Sequence, residues 1–235
     1  MARQTYKGPL RWLVVDDGDV PAKPTMGQDH VRRSPSSAIG TLPDNLLEAV
    51  KHFGTSEAIF FIEDDDWYAP NYLTTMISGM GDAWIVGIEA FKYYNVAFAS
   101  YMVFDRWNCK ENSSGLYTTG IKGALAGKLV EACNISKANG DKGVDAPLWW
   151  LCQVGSRLIP DTGIAVGMKG LPGRKGLGSG HAADFNGTGD PNFNTLKKWV
   201  GEEDAKEYIR LHEAYVRGIL DPIYAQIRRG SSGQK

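Results

Sequence analysis

The sequence predicts an α/β domain: a mostly parallel central sheet flanked by helices, with a C-terminal Gly-rich loop and further helices. Two short apolar runs, RWLVV (11–15) and AIFFI (58–62), each end in an acidic cluster, DDGD and EDDD. Between them, TLPDNLLEAVKHFG has helical spacing. Continuous apolar runs bounded by polar turns fit strands buried on both faces of a parallel sheet. Strand, helix, strand is then a crossover unit, whose ligands gather beyond the carboxyl ends of the strands.

Each element has its own grounds. In the first helix Thr41 and Asp44 have capping-box spacing, Leu42, Leu46, Val50 and Phe53 share a face, and Gly54 can end it. NYLTTMISGM after Pro70 reads as a helix and AWIVGIE as a strand. NVAFASYMVFD fits one long strand or two short ones. TTGIKGALAGKLVEAC and APLWWLCQVG read as helices, and GMKGLPGRKGLGSGHAADFNGTGDPN as a long coil of the kind that serves as a functional lid or is disordered. The last stretch, EEDAKEYIRLHEAYVRGILDPIYAQIRRG, reads as helical with a break near Asp221–Pro222, and SSGQK as a tail.

Bulk properties narrow the function classes. Hydrophobic residues make up 43% and charged residues 23%, ordinary for a globular protein. A net charge of −1 argues against nucleic acid or anionic membrane held by bulk charge. Cys109, Cys133 and Cys152 are sparse and odd in number, which reads as reduced thiols. No apolar run approaches a membrane span and no signal-peptide core is evident, so the expected location is cytoplasmic.

The acidic run Glu63-Asp64-Asp65-Asp66 carries the chemistry. Four carboxylates at a strand end raise one another's pKa unless a cation or donors meet them. Mg²⁺ and Mn²⁺ take hard oxygen ligands together with the oxygens of a diphosphate. On an extended segment the D-x-D spacing offers two same-side pairs, Glu63/Asp65 and Asp64/Asp66. The plain alternative is an exposed acidic turn. Asp16 or Asp17 at the first strand end can accept a hydrogen bond from a base or ribose, although Asp-Gly is also a common turn pair.

These residues also carry a resemblance. ARQTYKGPLRWLVVDDGD is similar to the stretch ending VVDDGS in family 2 glycosyltransferases of the GT-A (Rossmann-like) fold. FIEDDDWYAPNYL resembles their segment with the metal-binding D-x-D motif. The match covers the first third of the chain, with both motifs in order. It implies a glycosyltransferase of the hexosyl type, a nucleotide-sugar donor (a UDP-sugar by analogy) and Mn²⁺ or Mg²⁺. It places Asp16 and Asp17 on the nucleoside, with Glu63 and Asp64 beside the nucleotide. Asp65 takes the metal together with Asp66, and Glu63 stands where the family usually has Asp. A third metal ligand from a C-terminal loop would be His181, with Arg174 and Lys175 meeting phosphates. Asp145 in GVDAPLWW stands where the family has its general base, for an inverting reaction; a helix N-cap is the plain alternative. Trp67, Trp149 and Trp150 are candidates to stack on sugar or acceptor, with core packing as the rival.

The resemblance also implies a preceding strand that this sequence does not show, so the expectation is a misplaced start or a sheet edge left exposed or re-paired. Its A-R-N helix start appears here as PDN (43–45), with Arg32 or Arg33 as substitutes for the arginine. The chain is read as one domain, 1–235. Residues 1–105 form the nucleotide-sugar half, 106–200 the acceptor half with its lid loop, and 201–235 the terminal helices and tail. The acceptor is a hydroxyl on protein, glycan, lipid-linked sugar or modified DNA, and a homo-oligomer stays open. Two other readings are kept: a Mg²⁺ phosphohydrolase with Asp17 as nucleophile, and an inactive nucleotide-sugar-binding module.

Overall fold

The computed structural model describes residues 3–23, 25, 27–34, 41–104, 113–140, 143–172 and 187–231, from 220 onward as backbone only. The run RWLVV becomes β1 (Trp12–Asp16), paired in parallel with β2 (Gln28–Arg32). Helix α1 (Leu42–Val50) buries Leu46, but Leu42 stays 38% exposed and Thr41 makes no side-chain cap. Asp44 instead reaches Lys137 Nζ at 2.6 Å, so the expected capping box does not form.

AIFFI forms β3 (Ala58–Phe60), and beyond it the Phe61 N–H still donates to the Thr119 carbonyl at 3.2 Å. Its side chains alternate as a strand buried on both faces must. Ile59 and Phe61 turn toward a core with Leu46, Leu129 and Trp149, whereas Phe60 and Ile62 turn toward one with Leu73, Met76 and Val166. After β4 (Trp67–Tyr68) come α2 (Tyr72–Met80), β5 (Ile85–Ile88), β6 (Phe91–Asn95) and β7 (Ser100–Phe104). β6 and β7 pair antiparallel, so NVAFASYMVFD ends one strand and supplies the next.

The stretch expected as one helix from Thr118 splits into β8 (Thr119–Lys122), a short 3₁₀ turn and α3 (Ala126–Ala138). Its glycines explain the strand. A Cβ on Gly120 would lie 2.5 Å from the Phe60 ring, and one on Gly123 would lie 1.9 Å from the Gly54 carbonyl oxygen. The remainder is α4 (Asp145–Leu151), β9 (Ser156–Ile159), β10 (Ala165–Lys169), β11 (Thr188–Gly189), α5 (Asn194–Val200) and α6 (Glu202–Ser231). Helix α6 runs through Asp221–Pro222, where the sequence suggested a break.

The class is α/β, but the sheets are mixed rather than mostly parallel. Beyond β1–β2 there is a sheet ordered β3-β8-β5-β9 and another ordered β11-β7-β6-β10-β4. β8 runs antiparallel to both β3 and β5, and only β5–β9 is parallel in its sheet. In the other sheet only β10–β6 is parallel. Helices α1, α3 and α4 pack in sequence, and α2 lies against β5 and β9. Ile85 of β5 joins the core with α3 and α4, while Val86 and Ile88 join the core with α2, so the β3-β8-β5-β9 sheet is covered on both faces. The crossover from β3 to β4, and hence from one sheet to the other, is the acidic run. Among the described residues no helix is long and apolar enough to cross a membrane.

Candidate functional site

The acidic run is a turn, not an extended D-x-D segment. The Asp66 N–H donates to the Glu63 carbonyl at 3.3 Å, and the Glu63 N–H donates to the Tyr68 hydroxyl at 3.0 Å. Folding back brings the first and last members together, and one carboxylate oxygen each from Glu63, Asp65 and Asp66 lies within 4.8 Å of the others. Asp64 is left on the exposed side of the turn.

Asp66 is the deepest member, its side chain 0% exposed. Oδ1 accepts the Met168 N–H at 2.8 Å, whereas Oδ2 is buried without a hydrogen-bond partner. Asp66 also lines a cavity of about 190 Å³ with Arg3, Tyr68 and Tyr208. Burial, then the Glu63 charge, holds the Asp66 carboxyl well above the usual range. Glu63, about three-tenths exposed, is raised for the same first reason; Lys169 opposes the shift, and Asp65 and Asp145 add to it.

The positive charge within the described chain is a residue the sequence reading passed over. Lys169, at the end of β10 and 5% exposed, places Nζ 3.6 Å from Glu63, 3.5 Å from Asp66 and 5.2 Å from the Tyr93 ring centre. Burial works to lower its pKa, but Asp66, Glu63 and Asp65 outweigh that and leave it raised, so it carries its charge at neutral pH. The sequence hides it because GMKG reads as the start of the Gly-rich coil. The one available signal is the continuous apolar run AVGM ahead of it, which fits a buried strand.

Asp145 belongs to the same electrostatic neighbourhood: its charge is felt at Glu63 and at Tyr93. It is the first residue of α4, with Val144 at the cap position, so it is not the helix N-cap. Burial raises its pKa, partly offset by N–H donation from Ala146 and its own backbone.

Asp16 and Asp17 are held by another set of groups. Asp16 accepts the Gly18 and Ala22 N–H groups at 3.0 and 2.8 Å and pairs with Arg32 at 2.8 Å, so its carboxylate shapes its own loop. Asp17 is looser: Arg33 stands 3.7 Å away, and Oδ2 is buried without a hydrogen-bond partner. Arg33 also donates to Asn45 Oδ1 at 2.6 Å, beside the start of α1 where a basic residue was expected. Asp17 thus keeps a buried, unpartnered acceptor, whereas both Asp16 oxygens are engaged.

The tryptophans divide. Trp67 is 8% exposed with its N–H on Asp204, and Trp149 is 1% exposed with its N–H on Thr119 Oγ1. Trp67, though buried, also lines the cavity beside Asp66, whereas Trp149 is a core residue, the rival to sugar stacking. Trp150, 59% exposed, keeps that possibility. Gly120 and Gly123 serve internal packing rather than ligand approach. Arg174, Lys175 and His181 lie outside the described residues, as does Cys109, while Cys133 and Cys152 are free and buried. No protein-family model matches this chain, and a search of curated proteins finds no similar sequence.

Proposed function

We propose that the protein is a divalent-metal-dependent, inverting glycosyltransferase of the GT-A kind, taking a sugar from a nucleoside diphosphate (UDP by sequence resemblance) to a hydroxyl acceptor. One observation carries the reading: the Glu63, Asp65 and Asp66 ligand atoms gathered within 4.8 Å, with Asp66 Oδ2 buried and unpartnered. A donor set made only of carboxylate oxygen suits Mg²⁺ or Mn²⁺ and not a soft metal. Those three residues would hold the ion, which when bound supplies Lewis-acid neutralisation of a leaving diphosphate.

The chain's own groups fit the remaining roles. Asp17 offers its unpartnered oxygen to the nucleoside, with Asp16 organising the loop around it. Asp145, partly buried and raised in pKa, suits a base that takes the proton of the acceptor hydroxyl as it attacks. Trp150 presents an exposed face for sugar or acceptor.

A thermal-shift panel of UDP-sugars with and without Mn²⁺, followed by assay of released UDP, tests the reading. The expected result is a Mn²⁺-dependent rise in melting temperature with one donor and UDP release that Asp65→Ala abolishes. No Mn²⁺-dependent shift with any donor, or full activity in Asp65→Ala, would overturn it. A second reading, a binding module without turnover, is favoured by Lys169 already standing among the carboxylates. Tight UDP and Mn²⁺ binding with no UDP release would select it.

A further inference from the structure

The charges of the acidic turn do not balance. Three carboxylates face one ammonium, and the Lys169 contacts at 3.5 and 3.6 Å are longer than the ~2.7–2.9 Å of a tight charge-assisted hydrogen bond. Among the described residues its further contact is the Tyr93 ring face at 5.2 Å, and its backbone carbonyl is used separately by the Val96 N–H. Asp66 keeps one oxygen unpartnered even with this lysine beside it. An ion pair built only for stability would close these gaps, because burying charge is costly unless its geometry and hydrogen bonds are complete.

We infer that Lys169 is the exchangeable counter-ion of this site and a diphosphate-contacting residue. It occupies Glu63 and Asp66 in the ion-free protein, yields them to a divalent cation, and turns its ammonium to a phosphate oxygen of the nucleotide. Its four-carbon stem permits that movement. The partly exposed Glu63 side chain marks the side of the cluster nearest solvent. The inference rests on the metal-dependent reading and adds a residue to it.

The two roles push binding in opposite directions when the charge is removed. In Lys169→Met, Mn²⁺ alone should bind about 10-fold tighter or more, because its competitor for the carboxylates is gone. UDP at saturating Mn²⁺ should bind about 10-fold weaker, because a charged phosphate contact is lost. Titration calorimetry reads both, with circular dichroism confirming the fold. Lys169→Gln repeats the measurement in a polar side chain of similar length, should the methionine variant fail to fold. Wild-type binding of Mn²⁺ with both affinities unchanged or both weakened in the variants would overturn the lysine's role and leave the metal reading standing. Failure of wild-type protein to bind Mn²⁺ at all would overturn both.

Discussion

The indole N–H of Trp67 donates to Asp204 Oδ2 at 2.6 Å, and Arg3 holds Asp204 Oδ1 at 2.7 Å. The first turn of α6 is thereby tied to the strand that leaves the acidic turn, one residue beyond Asp66. A hydrogen bond to a charged acceptor is worth about 1.5–3 kcal/mol. Asp204→Ala should therefore lower unfolding free energy by that order, read by urea titration. A loss below about 0.5 kcal/mol, the range of an ordinary surface change, would show that the tie carries no load.

The same carboxylate predicts an acid limb. Donation from Arg3, then from Trp67, holds Asp204 below the ordinary carboxylate range despite its partial burial. With the folded pKa below the unfolded one, its stabilisation is complete above about pH 3.9, the unfolded value, and drains away as pH falls through the folded pKa. Stability measured between about pH 5 and 2 should fall less steeply in Asp204→Asn than in wild type. Parallel curves would count against the pairing.

Asp145 has the opposite sign. Burial raises its folded pKa, so its contribution is fully present below the unfolded value and is lost as pH rises through the folded one. Asp145→Asn should accordingly be more stable than wild type at neutral pH. Its sugar transfer should fall by about 10²–10⁴ while UDP and Mn²⁺ binding persist. In wild type the acid limb of kcat should lie above the ordinary aspartate range. An unchanged kcat in the variant would remove Asp145 from the reaction.

Two glycines on either side of the β8–α3 boundary give a paired test. A Cβ on Gly123 would stand 1.9 Å from the Gly54 carbonyl oxygen, whereas one on Gly127 meets nothing within 4 Å. Gly123→Ala should cost about 1–3 kcal/mol through forced backbone shifts. Gly127→Ala should be neutral or gain up to about 1 kcal/mol from helix propensity. Equal melting temperatures for the two variants would show that the close approach is not real in solution.

The sequence is most legible where a pattern is local. AIFFI reads as a strand buried on both faces because alternate residues meet different cores, and Ile59 and Phe60 do so. Strand direction is not local: β8 enters antiparallel between β3 and β5 from about sixty residues away, which no run of apolar residues announces. The acidic residues were legible as a cluster, but their geometry was not. A backbone bond from Asp66 to Glu63 bends the D-x-D into a turn, and the charge opposing it comes from Lys169, about a hundred positions on. Trp67 and Trp149 illustrate the same limit, since an aromatic beside a site motif looks alike whether its N–H faces ligand or a buried Thr119 or Asp204.

Lys169 meets the carboxylates by virtue of register: Gly167, Met168 and Lys169 of β10 stand opposite Tyr93, Tyr94 and Asn95 of β6. Successive side chains in a strand point to opposite faces, so a slip of one place would turn the ammonium away and offer the Met168 thioether instead. The spacing from Ala165 to Lys169 is thus as much a determinant of the charge balance as the acids themselves. An insertion or deletion there would strip the carboxylates of their counter-charge without altering a single ionisable residue.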